Sequence, residues 1–470
     1  EWTNDIALYV KACGCILIKK ELEMSLKKVH RHSWVSLVIC WIIWVVVAYD
    51  RELIFRAANM ICNEFNLSPT QWGYTIAAIT LSLAVLSIPV AALSDKHASG
   101  WKRGIFQWPL VIGFTFISLL SGITSLSSSF YKFVTLRIMV SLGCGVAEPV
   151  GVSNTAEWWP KEHRGFAIGA HHSGYPVGAL LSGVAMATII TYFGPQNWRY
   201  AFFLGIIFAV PALTFWAIYS TRKRYSEFHQ SCVDNQFTPP TDFVHDEGEE
   251  KTSTHSTWER LKQTLSSRGI VFTAASTLIT HVVYIGFLTI FPAFLYNIVG
   301  LDLAKSAGLS AVFTITGMMG QIIWPTLSDK IGRRLTLILC GCWMAVSIAS
   351  FCLTSGVVSV IAIQLFFGLS ANAIWPIFYA TASDYAPAGA IGTANSLITV
   401  AQYVGGAVAP IIMGYLLTSF GGWHSHQGYI WCFLLMSCCA FIGVILQIIL
   451  GYLIKKEKLE QVDNLSLCAN

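Results

Sequence analysis

Ser94-Asp95-Lys96, running on to Lys102-Arg103, and Ser328-Asp329-Lys330, running on to Arg333-Arg334, stand at matching places in the two halves of a very apolar chain. Each phrase closes one long apolar run and opens the next. Cations flanking a membrane span are held on the cytoplasmic side. The pair therefore marks an internal duplication and fixes an orientation.

The composition agrees: of 470 residues 54% are hydrophobic and only 12% charged, with a mean hydropathy of +0.59. A water-soluble domain carries about twice that share of charge. Crossing the hydrocarbon takes roughly 20 apolar residues of helix, and twelve such runs lie near 33–60, 71–93, 105–126, 131–154, 165–191, 199–220, 270–296, 304–327, 335–354, 357–380, 390–418 and 428–454. These are spans one to twelve of an all-α polytopic membrane protein. The implied organisation is a cytoplasmic tail (1–32), a six-helix bundle (33–220), a connector (221–268), a second six-helix bundle (269–454) and a tail (455–470).

Loop cations set the topology. Lys96, Lys102, Arg103, Lys161, Arg164, Arg222, Lys223, Arg224, Lys330, Arg333 and Arg334 fall in alternate loops, and Lys455, Lys456 and Lys458 in the tail. Lys132, Arg199 and Lys305 are the exceptions on the other side. Both termini are expected in the cytoplasm and the protein in the cell (inner) membrane. The net charge of +5 is this loop bias and implies no nucleic-acid partner.

Most of the 13 cysteines, among them Cys40, Cys144, Cys340, Cys342, Cys438 and Cys439, sit inside apolar runs, where Cys acts as a small hydrophobe. No disulfide is expected. Cys13 with Cys15, and His424 with His426, lack the second pair that a zinc site needs, so neither a metal nor another cofactor is implied. Residues 1–23 read as foreign to the native start, with an amphipathic surface segment as the alternative. The connector, with Pro239-Pro240 and the acidic Asp246, Glu247, Glu249 and Glu250, reads as flexible, with a short helix from Trp258 to Leu265. No nucleophile, base and orienter stand together in it, so no enzyme is implied.

Register tests the duplication. An offset of 227 pairs Pro149 with Pro376, Glu157 with Asp384, Pro160 with Pro387 and Gly165 with Gly392. Parallel six-helix repeats with a site at the midplane between them characterise the major facilitator superfamily; the two charged phrases resemble its signature loop, and the resemblance to that superfamily covers roughly 33–453. The first copy differs in inserting His97-Ala98-Ser99. In that family Asp95, Arg103, Asp329, Arg333 and Arg334 would bias the inward–outward switch. A finer resemblance, to the anion:cation symporter branch, rests on Tyr49-Asp50-Arg51 with Gly73 in Gln71-Trp72-Gly73-Tyr74, on Trp158-Trp159-Pro160-Lys161-Glu162-His163-Arg164-Gly165, and on Asn197-Trp198-Arg199-Tyr200-Ala201-Phe202. It implies cargo among organic acid anions and coupling to protons.

Charges inside apolar spans cost at least about 2.5–3.5 kcal/mol each on insertion scales, so each asks for a role or a partner. The candidates are Asp50, Arg51 and Arg56 in span one and Arg137 and Glu148 in span four. A guanidinium grips a carboxylate with two parallel hydrogen bonds, which nominates Arg51 and Arg137 as anion contacts. Their alternative is a structural pairing with Asp50 or Glu148. Arg56, near the outer end, can snorkel to water. Asp50 and Glu148 are candidate proton carriers. The branch commonly places its span-four acid seven residues after the Arg; Cys144 stands there, and Glu148 lies one turn further. His171 and His172 could relay protons, and His281 is the ionisable group of span seven. Tyr175 stands where the branch often has Gln.

The second half offers aromatics and amides: Tyr284, Gln321, Trp324, Asn372, Trp375, Tyr379, Asn395, Gln402 and Tyr403. Gln321, Asn372 and Trp375, with Tyr175, are the expected neutral substrate contacts. The expectation is a monomeric, proton-coupled transporter of a small organic anion in the lipid bilayer. The alternatives are an organophosphate or anion exchanger of the same fold and a transport-dead sensor.

Overall fold

A bilayer offers backbone amides no partners, so apolar spans close their own hydrogen bonds as helices. The computed structural model describes residues 26–97, 100–102, 129–240, 257–354, 356–386 and 391–468. Every expected span but the third, which lies outside the described residues, is helical. Span one is Arg31–Arg56, followed by the short helix Ala58–Phe65, and span two is Pro69–His97. Span four is Phe130–Glu157, span five Arg164–His172 with Gly174–Phe193, and span six Leu204–Tyr219. Span seven is Arg268–Asn297, span eight Leu303–Leu309 with Phe313–Ile331, and span nine Arg333–Ser350. Span ten is Val357–Ala371 with Ile374–Tyr385, span eleven Ile391–Ser419 and span twelve His426–Cys468. Among the described residues nine helical stretches are long and apolar enough to cross a membrane.

The duplication is visible in the bonding. Glu157, at the end of span four, accepts the Gly100 N–H of the first charged loop at 3.0 Å. Its counterpart Asp384, at the end of span ten, lies 3.6 Å from the Arg333 guanidinium of the second. Each half thus ties its fourth helix to its own charged loop. Arg333 also donates to the Ser328 hydroxyl at 2.6 Å, and the Arg334 guanidinium lies over Gly451 of span twelve. Arg103 and the side chains of Asp95 and Asp329 lie outside the described residues.

The halves meet at the end of the bundle far from these loops. Arg56 of span one donates to the Ser310 carbonyl (3.0 Å) and hydroxyl (3.2 Å) of span eight. Asn59 donates to the Pro292 carbonyl, and the Trp72 indole N–H to the Thr289 carbonyl. Thr70 bonds Gly414 and Thr418, and the Trp423 indole N–H bonds the Leu67 carbonyl. Small residues let the backbones close here: a Cβ at Gly73 would lie 2.2 Å from the Pro410 carbonyl oxygen, and one at Gly183 2.6 Å from the Ala311 Cβ.

Two expectations change. Arg56 does not snorkel: at 1% exposure it is buried between the halves. The first part of the connector is docked. Helix Arg222–Asp234 buries Tyr225, Phe228 and Cys232, with the Tyr225 ring 4.9 Å and the Phe228 ring 6.1 Å from that of Trp158. The amphipathic i, i+3, i+7 spacing of these residues was the missed signal. Thr238 then clips the chain down, its N–H bonding the Glu162 carboxylate at 2.9 Å and its carbonyl accepting from the Lys161 N–H at 3.0 Å. The second connector helix, Thr257–Ser266, coincides with the expected one. The acidic cluster 246–250 lies outside the described residues.

Candidate functional site

A small cavity of about 30 Å³ lies between the halves, lined by Arg51, Ile54, Phe55, Ile76, Ile79, Thr80, Leu83, Arg137, Ser141 and Tyr175 from the first and His281 and Ile285 from the second. Such a volume accommodates roughly one or two waters. The wall is apolar except where the two arginines, two hydroxyls, a phenol and an imidazole converge.

Arg51 is the half-buried cation on this wall. Its guanidinium lies between two rings, 5.5 Å from the centroid of Tyr175 in span five and 5.9 Å from that of Tyr403 in span eleven. Each half therefore supplies one ring to a pair of cation–π contacts that help hold the charge in place. Arg137 is buried and neutralised by Asp50, whose carboxylate lies 3.2 Å away, and it packs 4.9 Å from the Phe202 ring. The first half thus presents one pre-paired cation and one cation stacked between rings.

Beneath Arg51 lies a second buried carboxylate that the sequence reading passed over. Glu52, fully buried, accepts the Tyr175 hydroxyl on Oε1 at 2.8 Å and the Arg56 guanidinium on Oε2 at 2.8 Å. Because Arg56 also holds Ser310, a hydrogen-bonded chain runs from the ring under Arg51, through Glu52, to the closure between the halves. The i, i+4 spacing of Glu52 and Arg56 inside one apolar span was the available signal.

A family model described as Major Facilitator Superfamily matches residues 40–410 and 273–464. The chain belongs to the major facilitator superfamily. This major facilitator protein is a multi-pass membrane transport protein and not an enzyme. It is 23% identical over 448 residues to the "Probable galactarate/D-glucarate transporter GarP" of Escherichia coli K12, covering 91% of this chain and 98% of that one. It is 22% identical over 391 residues to the "Hexuronate transporter" of Bacillus subtilis (80% and 86%) and 25% identical over 399 residues to the "Probable sulfoacetate transporter SauU" of Cupriavidus necator (82% and 87%). Among solved structures it resembles a bacterial homologue of the human lysosomal transporter Spinster, with a TM-score of 0.68 at 16% identity over 90% of this chain and 97% of that one. It also resembles a D-xylose–proton symporter, with a TM-score of 0.66 at 16% identity over 88% and 97%. These likenesses confirm the fold read from the duplicated phrases.

Not every expected site residue of this major facilitator protein reaches the cavity. Gln321, Asn372 and Trp375 do not line it; they form a layer behind it. Tyr284 donates to Asn372 at 3.1 Å, Gln321 donates to the Asn372 carbonyl at 3.3 Å, and the Trp375 ring stands edge-on to His281 at 4.8 Å. Of these groups the Trp375 and Tyr284 rings pack against His281, which is on the wall. His171 does not line it either: fully buried, it stacks on Trp44 of span one at 5.7 Å. Glu148 belongs to the span-four helix, but its side chain lies outside the described residues. Cys144, at the place where the branch commonly has its acid, is buried.

Proposed function

We propose that this major facilitator protein imports a small organic anion, a sugar acid or similar carboxylate, together with protons, by alternating access. The observation that carries this reading is the placement of Arg51 on the cavity wall between Tyr175 and Tyr403, one ring from each half. A carboxylate meeting that guanidinium gains charge-assisted hydrogen bonds in an apolar setting. Because the sandwiching rings belong to different halves, occupancy of the site bears on how the halves sit. Curated relatives whose names give hexuronate, galactarate or glucarate as cargo support the substrate class.

Proton coupling falls to Asp50. While ionised it occupies the Arg137 fork. Protonated, it releases that fork to an entering anion, so that proton and anion binding reinforce each other. Glu148 is a second candidate one turn beyond Cys144. With the charged loops on the cytoplasmic side, the closure at Arg56–Ser310 and Gly73–Pro410 would be the outer one. An anion exchanger would want two unpaired cations in one pocket, and the pairing of Arg137 with Asp50 favours the symporter. The test is uptake of galactarate or glucuronate into liposomes under an imposed pH gradient. Uptake driven by the gradient and lost in Asp50→Asn is expected; uptake indifferent to the gradient would contradict the coupling.

A further inference from the structure

The second half contributes one group to the cavity that its own neighbours leave unsatisfied. His281 is 3% exposed, and among the described residues neither ring nitrogen has a hydrogen-bond partner, although the ring lines the same wall as Arg51. Buried polar groups are nearly always paired, and an orphan asks for an explanation. The ring is nevertheless held firmly. Trp375 stands edge-on at 4.8 Å and Tyr284 lies 6.0 Å away. On another side Gly406 packs so closely that a Cβ there would lie 2.8 Å from the imidazole Cδ2 and 3.0 Å from the Thr80 methyl carbon. A fixed ring with free nitrogens on a cavity wall is prepared for a partner that arrives from the cavity.

We propose that His281 is the specificity-determining contact of the second half and reads a hydroxyl of the cargo while Arg51 holds its carboxylate. This rests on the organic-anion reading above and narrows it to hydroxylated anions. The chemistry selects the hydroxyl. An uncharged imidazole offers one N–H and one lone pair, and a hydroxyl, both donor and acceptor, can answer either, whereas a methylene answers neither. An anion lacking the hydroxyl would leave the ring nitrogens buried and unpaired, which a site built for a polar group penalises. A cargo gripped by Arg51 on one half and His281 on the other also joins the two bodies that must rock together.

The test compares two six-carbon dicarboxylates that differ only in hydroxyls, galactarate and adipate, as ligands of the full-length protein in liposomes. The readouts are competition against labelled galactarate and ligand-induced thermal stabilisation. Wild type should favour galactarate. His281→Leu should lower that preference about tenfold, the scale of one lost hydrogen bond, while adipate binding is retained. His281→Gln, which keeps a donor and an acceptor, should restore much of the preference. Gly406→Ala, which pushes the ring without touching the cargo, should lower it as His281→Leu does. Equal loss of both ligands in His281→Leu, or an unchanged preference, would overturn the assignment while leaving the organic-anion function standing. Failure of wild type to bind either carboxylate would sink the function and this assignment together.

Discussion

Asp50 and Arg137 face each other across spans one and four in a two-pronged ion pair. Arg137 Nη1 lies 3.2 Å from Oδ1, Nη2 lies 3.3 Å from Oδ2, and Nη2 also donates to the Asp50 backbone carbonyl at 3.1 Å. Arg137 is 2% and Asp50 5% exposed, so both charges are largely withdrawn from bulk water. Breaking such a pair by removing one partner costs about 3–5 kcal/mol, whereas replacing both by apolar groups can be nearly neutral. Asp50→Asn should therefore lower the unfolding temperature in detergent, and Asp50→Leu with Arg137→Met should recover most of the loss. Both variants should lose gradient-driven uptake. Stability and coupling then separate, because only the first is restored by the double replacement.

Arg51→Lys keeps the charge but loses the flat fork and much of the stacking between Tyr175 and Tyr403. Losing a charge-assisted hydrogen bond is worth about 1.5–3 kcal/mol, roughly a 10–100-fold weaker anion. The expected result is a raised KM for uptake with an unfolding temperature close to wild type. Parallel losses of fold and uptake would instead make Arg51 structural.

The fold was legible because its causes are written locally: apolar runs of spanning length, cations in alternate loops, and matched residues such as Glu157 and Asp384. The site was legible only in part. Asp50, Arg51 and Arg137 announced themselves as charges in apolar spans. Their pairing did not, since Asp50 meets Arg137 only through the packing of helices 87 residues apart. Glu52 was hidden beside two more conspicuous charges. Gln321 instead bonds Asn372, Asn372 bonds Tyr284 and Trp375 packs on His281, and none of the three is among the cavity-lining residues. His281 carried the weakest pattern and holds the cavity position those residues were expected to take.

The close crossings at the far end predict a conformational bias. Gly73→Ala places a methyl 2.2 Å from the Pro410 carbonyl oxygen and Gly183→Val a branched side chain against Ala311. Backbone on one side of the contact leaves little room to yield, so both variants should favour the state in which this end is open. A cysteine placed at Ser310 in these backgrounds should react faster with a membrane-impermeant thiol reagent than in the parent. Unchanged labelling would mean that the crossing does not control the closure.

Glu52→Gln should weaken the same closure by a different route, since it leaves the Arg56 guanidinium, 1% exposed, without its anion. Removing one member of a buried pair costs about 3–5 kcal/mol. Ser310→Ala removes the hydroxyl's bonds, from Arg56 at 3.2 Å and to the Ala307 carbonyl within its own span at 2.8 Å, but keeps the carbonyl bond to Arg56 at 3.0 Å, so it should be mild. The ordering, Glu52→Gln far worse than Ser310→Ala, is checked by thermal unfolding.

Docking of helix Arg222–Asp234 should depend on pH. The Glu227 carboxyl is held below its ordinary value by the hydrogen bond from His32. Partial burial alone would raise Glu162, but the hydrogen bonds from Thr238 outweigh it and hold that carboxyl low as well. Groups with a depressed folded pKa contribute stability that is present above the ordinary carboxylate value and lost as pH falls through the depressed one. Amide-exchange protection over residues 222–238, measured relative to the intrinsic exchange rate at each pH, should therefore be high at pH 7 and fall under acid, below the usual carboxylate range. Glu162→Gln and Glu227→Gln together should flatten that dependence.

Proton flux into liposomes holding the purified protein tests the central claim most directly. Adding galactarate or glucuronate outside should acidify the lumen, adding a neutral sugar should not, and Arg51→Gln should abolish the signal. Silence with every carboxylate, accompanied by one-for-one exchange of a labelled phosphate ester, would contradict the account and make the protein an exchanger in which Asp50 is only a structural partner of Arg137.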